Sequence, residues 1–187
     1  MIVKRKISCI RRLAQCLLHG RLLHGRLLHD RREAMDRLNI RRATRDDLTA
    51  ILRIEKASFL RDAWTREQFR GYLSDPVNCI FLVAVKGAVI AGYAIGFHTG
   101  TRSELDSIAV APAHRSSGIA AALMRRLMAL MRRRGVSTMS LMVRLDNTAA
   151  ITLYRKLGFR RERRVNDYYE DGAPAWRMKA SLPPCTV

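Results

Sequence analysis

Between a predicted strand and a predicted helix lies the segment Arg115-Ser116-Ser117-Gly118-Ile119-Ala120. The residues before it, 105–110, are mostly apolar, and Pro112 ends that run because proline has no N–H to give to a sheet. After Ile119, leucines and methionines recur at steps of three and four residues, which is the period of a helix. The segment is therefore predicted to be a loop that leads from a strand into the N-terminus of a helix.

Such a loop is suited to binding phosphate. The first N–H groups of a helix have no partner within the helix, and the helix dipole places partial positive charge at the same end. Gly118 would let an anion approach the backbone closely. An ordinary strand-to-helix turn is the alternative interpretation, because short glycine loops are weak motifs by themselves.

Three segments together resemble the GNAT acetyltransferase superfamily. Arg115-x-x-Gly118-x-Ala120 resembles its Q/R-x-x-G-x-G/A signature, the loop that holds the pyrophosphate of acetyl-CoA. Residues 141–159 resemble the V-R-x-x-N-x-x-A-I-x-L-Y-x-x-x-G-F block of the RimI-like branch, which acetylates the N-terminal amines of proteins. Residues 167–173 resemble the Y-Y-x-x-G-x-A hairpin of that branch. Order and spacing agree from about residue 39 to residue 182.

The pattern of consecutive strands with interspersed helices predicts an α+β fold with a mixed sheet. The resemblance implies more detail, namely a GNAT fold with a mostly antiparallel sheet and helices on both faces. It further implies that two central strands, residues 104–110 and 138–144, splay apart and admit the pantetheine arm of acetyl-CoA. We expect acetyl-CoA to be a co-substrate and expect no metal.

The same resemblance implies a set of residues that bind acetyl-CoA. Asn147 would bond the pantetheine region, although asparagine also suits the cap of a helix. The backbone N–H of Val110 is the expected donor to the thioester carbonyl. The full set of expected cofactor-binding residues is Ile108, Ala109, Val110, Arg115, Ser116, Ser117, Gly118, Ile119, Ala120, Ala121 and Asn147.

Tyr154 matches the family tyrosine that donates a proton to the cofactor sulfur, and a tyrosine packed in the core is the alternative. The glutamate that precedes V-R in the RimI-like pattern is replaced by Met142, and a thioether does not serve as a base. Strand alternation puts Glu104 and Asp106 on one face of the neighbouring strand. Other GNAT branches have a base glutamate on this strand, and Glu104 resembles it in its offset from the cofactor loop, so Glu104 is the first candidate for the base and Asp106 the second. A solvent-facing carboxylate is the alternative for each, and for Asp106 an ion pair with a nearby arginine is another.

Four aromatic residues are expected on the acceptor side. Phe59 and Trp64 lie between the first two helices, in the segment that lines the acceptor site of GNAT proteins, and core packing is the alternative for both. Tyr168 and Tyr169 match the hairpin tyrosines that contact the acceptor peptide, and packing within the hairpin is their alternative. The acidic residue that often follows the hairpin glycine of the branch is missing after Gly172.

The composition limits the classes of partner. The chain has 35 Lys and Arg against 16 Asp and Glu, a net charge of +19, which favours anionic ligands. The arginines are scattered and form no stacking platform with aromatic residues, so only non-specific binding of nucleic acid is expected. No apolar run is long enough to cross a membrane. The four cysteines show no metal or disulfide spacing, and a reducing cytoplasm fits them.

Residues 1–36 differ from the remainder of the chain. They are basic and contain a five-residue repeat that begins at Leu17, Leu22 and Leu27. We therefore divide the chain into an N-terminal extension, residues 1–36, and an acetyltransferase domain, residues 37–187. One hypothesis is that translation begins at Met35 and that the repeat comes from upstream DNA read as coding sequence.

These observations predict transfer of an acetyl group from acetyl-CoA to a primary amine. The N-terminal amine of a protein is the preferred acceptor, with ribosomal proteins among the candidates. A small-molecule amine acetyltransferase is one alternative, which an acidic acceptor groove would favour over an apolar, tyrosine-lined one. A catalytically impaired module that binds acyl-CoA or associates with ribosomes is the other, supported by Met142 and the basic surface.

Overall fold

The computed structural model describes residues 6–7, for the backbone alone, and residues 38–59 and 63–184. Apart from Lys6–Ile7, the predicted N-terminal extension lies outside the described residues. The strands are β1 (Lys6–Ile7), β2 (Leu38–Arg42), β3 (Cys79–Lys86), β4 (Val89–Thr99), β5 (Arg102–Val110), β6 (Thr138–Arg144), β7 (Arg160–Val165) and β8 (Ala175–Ser181). The helices are α1 (Leu48–Ser58), α2 (Arg66–Ser74), α3 (Ile119–Arg133) and α4 (Thr148–Lys156).

The strands form one mixed sheet in the order β2-β3-β4-β5-β6-β8-β7. Neighbours along this order are antiparallel except β5 and β6, which are parallel. The short strand β1 pairs in parallel with β5, with Lys6 opposite Ser107 and Ile7 opposite Ile108. The α+β class and the mostly antiparallel mixed sheet are confirmed.

Helices cover both faces of the sheet, as expected. On one face, Leu123, Leu127 and Met131 of α3 pack with Ile151 of α4 against the central strands. On the other face, the apolar side chains of α1 and α2 form a second core with β3, β4 and β5. Each helix buries one apolar stripe, which follows from the three- and four-residue spacing of its apolar positions.

Side-chain hydrogen bonds at the helix N-termini show why the helices begin where they do. Thr65 caps α2, accepting from the N–H of Gln68 at 3.3 Å, while the Gln68 side chain accepts from the N–H of Thr65 at 2.7 Å. Before α1 the chain makes a 3₁₀ turn, Arg45–Asp47, which leads into the helix. The Asp47 carboxylate accepts from the N–H and the hydroxyl of Thr44, so these two residues form a capping box at the start of the turn.

One strand boundary differs from the sequence-based expectation, because the strand predicted over residues 104–110 begins earlier, at Arg102. β7 ends at Val165, because the chain turns at Asp167, whose φ is +48°. The turn leaves Tyr168, a candidate acceptor-side residue, outside the strand. In the described part of the chain, no helix is both long and apolar enough to span a membrane.

Candidate active site

The central strands separate at the site. β5 and β6 are paired from Arg102 opposite Thr138 to Leu105 opposite Leu141, and beyond that register they diverge. A bulge lies at the same point, because Leu105 is opposite Gly96 of β4 whereas Ser107 is opposite Ile95. A β-bulge bends its strand locally, which helps to open the gap.

The backbone of β5 presents a donor to this gap. The N–H of Ala111 donates to the carbonyl oxygen of Ala91 on the β4 side at 2.8 Å. Successive residues of a strand direct their backbone groups to opposite edges, so the N–H of Val110 faces the β6 side. This places a backbone donor where the expected role in polarising a carbonyl needs one.

A cavity of about 370 Å³ opens beside the end of β5. It is bounded by the strand end, the loop that follows it, the start of α3 and one side of α4. Its lining residues are Ile108, Ala109, Val110, His114, Arg115, Ser116, Gly118, Ile119, Ala120, Ala121, Asn147, Ala149, Ala150, Thr152, Leu153, Tyr154 and Lys156. The structure thus brings together all of the expected cofactor-binding residues except Ser117.

The loop before α3 has the backbone shape of an anion-binding concavity. Ser116 has φ +62° and Gly118 has φ +80°, both in the left-handed region, on either side of Ser117. Alternating conformations of this kind turn successive N–H groups toward one point, next to the positive end of the α3 dipole. The Ser117 hydroxyl donates to the His114 carbonyl oxygen at 2.6 Å, so Ser117 closes the loop and does not line the cavity.

Arg115 braces the same loop. Its Nε donates to the carbonyl oxygen of Val110 at 3.2 Å, and one terminal nitrogen donates to Oγ of Ser58 at 3.3 Å. The guanidinium therefore ties the loop to the end of β5 and to the end of α1. It also adds positive charge to the cavity wall.

The hydrogen bonds of the Asn147 side chain show whether the cavity suits acetyl-CoA. Its side-chain oxygen caps α4 by accepting from the N–H of Ala150 at 3.1 Å, so the capping alternative is confirmed. Its Nδ2 is buried and finds no hydrogen-bond partner among the described residues. A buried amide without a partner is costly, and an acceptor on a ligand in this cavity would satisfy it. Capping and ligand binding are therefore compatible in one side chain.

Sequence reasoning missed several residues of the cavity wall. His114, Thr152 and Lys156 line it beside the expected residues. Thr152 and Lys156 are four residues apart on α4, so they lie on one side of that helix. Lys156 and His114 add donors suited to phosphate oxygens.

Tyr154 is buried, with about 1% of its surface exposed, and its ring lines the cavity. Burial, with a smaller contribution from Tyr169, raises the pKa of Tyr154 well above that of a free phenol. The hydroxyl is therefore a neutral donor at physiological pH. This is the protonation state that a general acid needs.

A smaller apolar cluster lies on the opposite side of β6. Met142 packs with Tyr169 and Ala175, and Tyr168 meets Tyr169 edge-on at 5.0 Å between ring centroids. The Arg144 guanidinium lies over the Tyr169 ring at 4.1 Å. The hydroxyl of Tyr169 is buried and has no hydrogen-bond partner among the described residues. Burial raises the pKa of Tyr169, so this hydroxyl is also a neutral donor.

The two candidate bases differ in position. Glu104 is half-buried and lies opposite Ser140, within the paired part of β5 and β6. Asp106 is about 1% exposed and occupies the bulge, where the gap begins. The bulge also breaks the strict alternation that the sequence argument assumed. Glu104 shares the face of the sheet that carries Met142, because it lies opposite Ser140, two residues before Met142 on β6.

Phe59 and Trp64 belong to the core between α1, α2 and the sheet, as the packing alternative held. Trp64 stacks on Tyr72, with 5.1 Å between ring centroids. The backbone N–H of Trp64 donates to the carboxylate of Glu55 at 2.8 Å, and Glu55 is fully buried. These contacts fix the segment between the two helices, and direct contact of either aromatic residue with an acceptor stays a prediction.

A series of buried hydrogen bonds supports the segment between α1 and α2, and sequence reasoning missed it. The Tyr93 hydroxyl donates to the Glu55 carboxylate and lies 3.0 Å from Oγ of Ser107. Burial raises the pKa of Tyr93, with the Glu55 charge adding to the effect. The series links the end of α1 to β4 and β5. Its members are scattered along the sequence, so no local pattern reveals it.

The sequence of the chain is similar to those of known acetyltransferases. The model of the acetyltransferase (GNAT) family matches residues 45–159. An N-alpha-acetyltransferase RimI from Mycobacterium tuberculosis is 33% identical over 142 residues, covering 73% of this chain and 87% of the relative. An N-alpha-acetyltransferase from Sulfurisphaera tokodaii is 31% identical over 156 residues, covering 76% and 92%.

Solved structures agree with the sequence relatives. The ribosomal-protein-S18-alanine N-acetyltransferase of Escherichia coli superposes with a TM-score of 0.73 at 27% identity, covering 80% of this chain and 97% of that one. The family match spans more than half of the chain, including the cavity loop and all of α4. The chain therefore belongs to the GNAT acetyltransferase family, as an N-acetyltransferase of the RimI-like group that uses acetyl-CoA.

Proposed function

We propose that this enzyme acetylates the N-terminal amine of a protein. The observation that carries the proposal is the hydroxyl of Tyr169, buried beside Met142 without a partner among the described residues. A peptide backbone offers a carbonyl oxygen that this donor would satisfy. The surrounding surface, with Tyr168 and Ala175, is apolar and aromatic, as expected for a site that holds a peptide.

The cavity beside β5 is the proposed acetyl-CoA site. The left-handed loop, Arg115 and Lys156 would hold phosphate oxygens, and Asn147 would bond a polar group of the pantetheine arm. Acetyl-CoA supplies the thioester from which the acetyl group is taken. The N–H of Val110 would donate to the carbonyl oxygen, and its fixed direction requires no reorganisation during the reaction.

Three proton transfers complete the proposed reaction. Glu104 accepts a proton from the acceptor ammonium, because only the free amine attacks the carbonyl carbon. As the new C–N bond replaces the C–S bond, Tyr154 donates its phenolic proton to the departing sulfur. The attacking nitrogen then loses its second proton, which returns the Tyr154 phenolate to the phenol. Glu104 and Val110 are six positions apart on β5, about 20 Å in an extended strand, so Glu104 would take the proton through intervening water. We assign the base to Glu104 because it is half-buried, whereas Asp106 is enclosed at the bulge.

The acceptor side does not resemble a polyamine site. Polyamines need carboxylates to pair with their ammonium groups, and two carboxylates of the β7–β8 hairpin are ion-paired. Asp171 lies 2.9 Å from Arg144, and Glu162 lies 2.9 Å from Arg177. The aromatic cluster around Tyr169 and the pairing of these two carboxylates favour a peptide.

The acceptor protein and its setting belong to the same proposal. The E. coli structural relative is named for ribosomal protein S18, which makes ribosomal N-termini the first to test. Cys79 is buried as a free thiol whose pKa burial raises to about 12, which is compatible with a reducing cytoplasm. We further propose that the catalytic unit is residues 37–187.

The test compares kcat/KM, by thiol release, for a peptide with a free N-terminus, the same peptide with a blocked N-terminus, and spermidine. We expect turnover with the free peptide alone. Tyr169→Phe should raise the KM for the peptide and leave the KM for acetyl-CoA unchanged. Turnover with spermidine but not with peptides would assign the enzyme to small-molecule amines. Binding of acetyl-CoA without any turnover would identify the impaired module instead.

A further inference from the structure

We propose that the sheet face formed by β6, β8 and β7 selects acceptors with acidic residues at about positions three to five of the peptide. The inference rests on the proposed N-terminal acetylation and names its substrate class. It concerns the side of the sheet that carries Met142, opposite the side covered by α3 and α4.

The strand register arranges this face in two rows. Residues directly opposite in neighbouring strands share a face of the sheet. One row runs from Glu104 of β5 through Ser140 of β6 to Lys179 of β8 and Arg160 of β7. The second row, one step toward the hairpin, runs from Met142 of β6 through Arg177 of β8 to Arg163 of β7.

The cations of these rows are accessible. Arg160 and Arg163 are exposed, and the side chains of Arg177 and Lys179 keep 38% and 46% of their surface exposed. Glu162, at the bulge of β7, contacts Arg177 at 2.9 Å and Lys179 at 3.9 Å. Glu162 thus contacts two of these four cations, and the part of the face on β7 and β8 keeps a net positive charge.

The charge on this face changes sign across the sheet. Glu104 and Asp106 lie at the β5 end, β6 contributes the uncharged Ser140 and Met142, and the cations lie on β8 and β7. A chain that is positive at its own end and negative a few residues later matches this order. Nucleic acid, which is uniformly negative, would meet the carboxylates at one end of each row. The arrangement therefore fits an acidic peptide better.

The spacing between the strands determines which positions of the peptide reach the cations. Neighbouring strands lie about 4.8 Å apart, so β8 is about 10 Å and β7 about 14 Å from β5. An extended peptide advances about 3.4 Å per residue. With the N-terminal amine in the gap beside β5, a peptide that crosses β6 directly brings its third to fifth residues over β8 and β7.

The experiment uses the full chain and three peptides that differ only at positions three to five, which are all Glu, all Gln or all Lys. We expect kcat/KM by thiol release to be about three- to tenfold higher for the Glu peptide than for the Gln peptide, the range that exposed ion pairs supply. The Lys peptide should be the poorest. The preference should shrink at high salt because exposed charges are screened.

Matched variants assign the effect to one face of β7. Arg160→Gln/Arg163→Gln should abolish most of the preference and leave kcat/KM for the Gln peptide unchanged. Arg161→Gln/Arg164→Gln removes the same charge from the other face, where Arg161 lies over the Trp176 ring at 4.8 Å. This control should keep the preference. Thermal melting of both variants checks that each is folded.

The outcomes separate this inference from the proposed function. Turnover of all three peptides at equal rates would overturn the inference and leave N-terminal acetylation intact. Absence of turnover with any free N-terminus would remove the proposed function and the inference together. Equal peptide rates combined with RNA binding that is lost in Arg160→Gln/Arg163→Gln would assign the face to nucleic acid and overturn the inference.

Discussion

The ring of Tyr154 meets the ring of Phe159 edge-on, with 5.9 Å between centroids and 63° between planes. This packing, in a site where Tyr154 is almost wholly buried, fixes the direction of the hydroxyl. Removal of the hydroxyl alone should therefore leave the ring in place. Removal of the Tyr154 hydroxyl therefore tests the role of general acid without disturbing the packing of the ring.

Tyr154→Phe should lower kcat by about 100-fold, the lower range for loss of a positioned acid, with acetyl-CoA affinity within about twofold of wild type. Thiol release measures the rate and calorimetry the affinity. Because burial raises the pKa of Tyr154, wild-type kcat should show no loss from deprotonation of Tyr154 up to about pH 10, the value of a free phenol. An unchanged rate in the Phe variant would exclude Tyr154 as the acid.

Glu104→Gln should reduce kcat at neutral pH by about 100-fold, because the acceptor ammonium would lose the group that takes its proton. Asp106→Asn is the matched comparison, with the same loss of charge two residues along β5. We expect Asp106→Asn to affect thermal stability more than kcat because Asp106 is buried at the bulge. The reverse order of rates would transfer the base to Asp106.

Met142→Glu places a carboxylate where the RimI-like pattern has one. The variant should raise kcat/KM in the Glu104→Gln background, since a second base then lies near the acceptor. Arg177, opposite Met142 on β8, would help to keep the new carboxylate charged. The measurement is the rate of the double variant relative to Glu104→Gln alone. A flat rate would count against a missing base as the limiting feature.

Gly118→Ala should weaken acetyl-CoA binding by about tenfold, because the left-handed conformation at φ +80° costs an alanine about 1–2 kcal/mol and the loop would relax out of its anion-binding shape. A methyl group at Gly118 meets no atom within 4 Å, so the effect is conformational. Gly135→Ala is the control, with φ +77° and open space after α3. It should lose similar stability and keep its affinity. Equal affinity losses in both would refute a specific role for the loop.

Removal of residues 1–34 should strengthen acetyl-CoA binding. Lys6–Ile7 pairs with Ser107 and Ile108, along the edge of β5 that faces the gap toward β6. Backbone groups on that edge would be available to the ligand once β1 is absent. Calorimetry on the full chain and on residues 35–187 provides the comparison. A lower affinity of the shorter chain would show that β1 supports the site.

Much of the fold was predictable because its signals are local. The heptad-like spacing of α3, the glycine before it and the Lys86-Gly87 turn between β3 and β4 each follow from a few neighbouring residues. The cavity was predictable for a related reason, since the loop and the start of α3 are continuous in sequence. The family resemblance then added Asn147 and Tyr154 from a second continuous block.

The features that could not be predicted depend on contacts between residues that are distant in sequence. The bulge at Asp106 is set by pairing with β4, so alternation along β5 alone misplaced the two carboxylates relative to each other. The series of buried hydrogen bonds from Glu55 through Tyr93 to Ser107 joins three elements and leaves no pattern in any of them. The charge rows on β7 and β8 require the register between strands, which composition does not contain.

The most direct test of N-terminal acetylation uses one peptide with a free N-terminal amine and one internal lysine. The enzyme is incubated with isotopically labelled acetyl-CoA, and fragmentation mass spectrometry locates the label. Our account predicts that the label is on the N-terminal amine and that Tyr154→Phe reduces its rate of appearance. Label on the lysine side chain, or no transfer by an enzyme that binds acetyl-CoA, would contradict it.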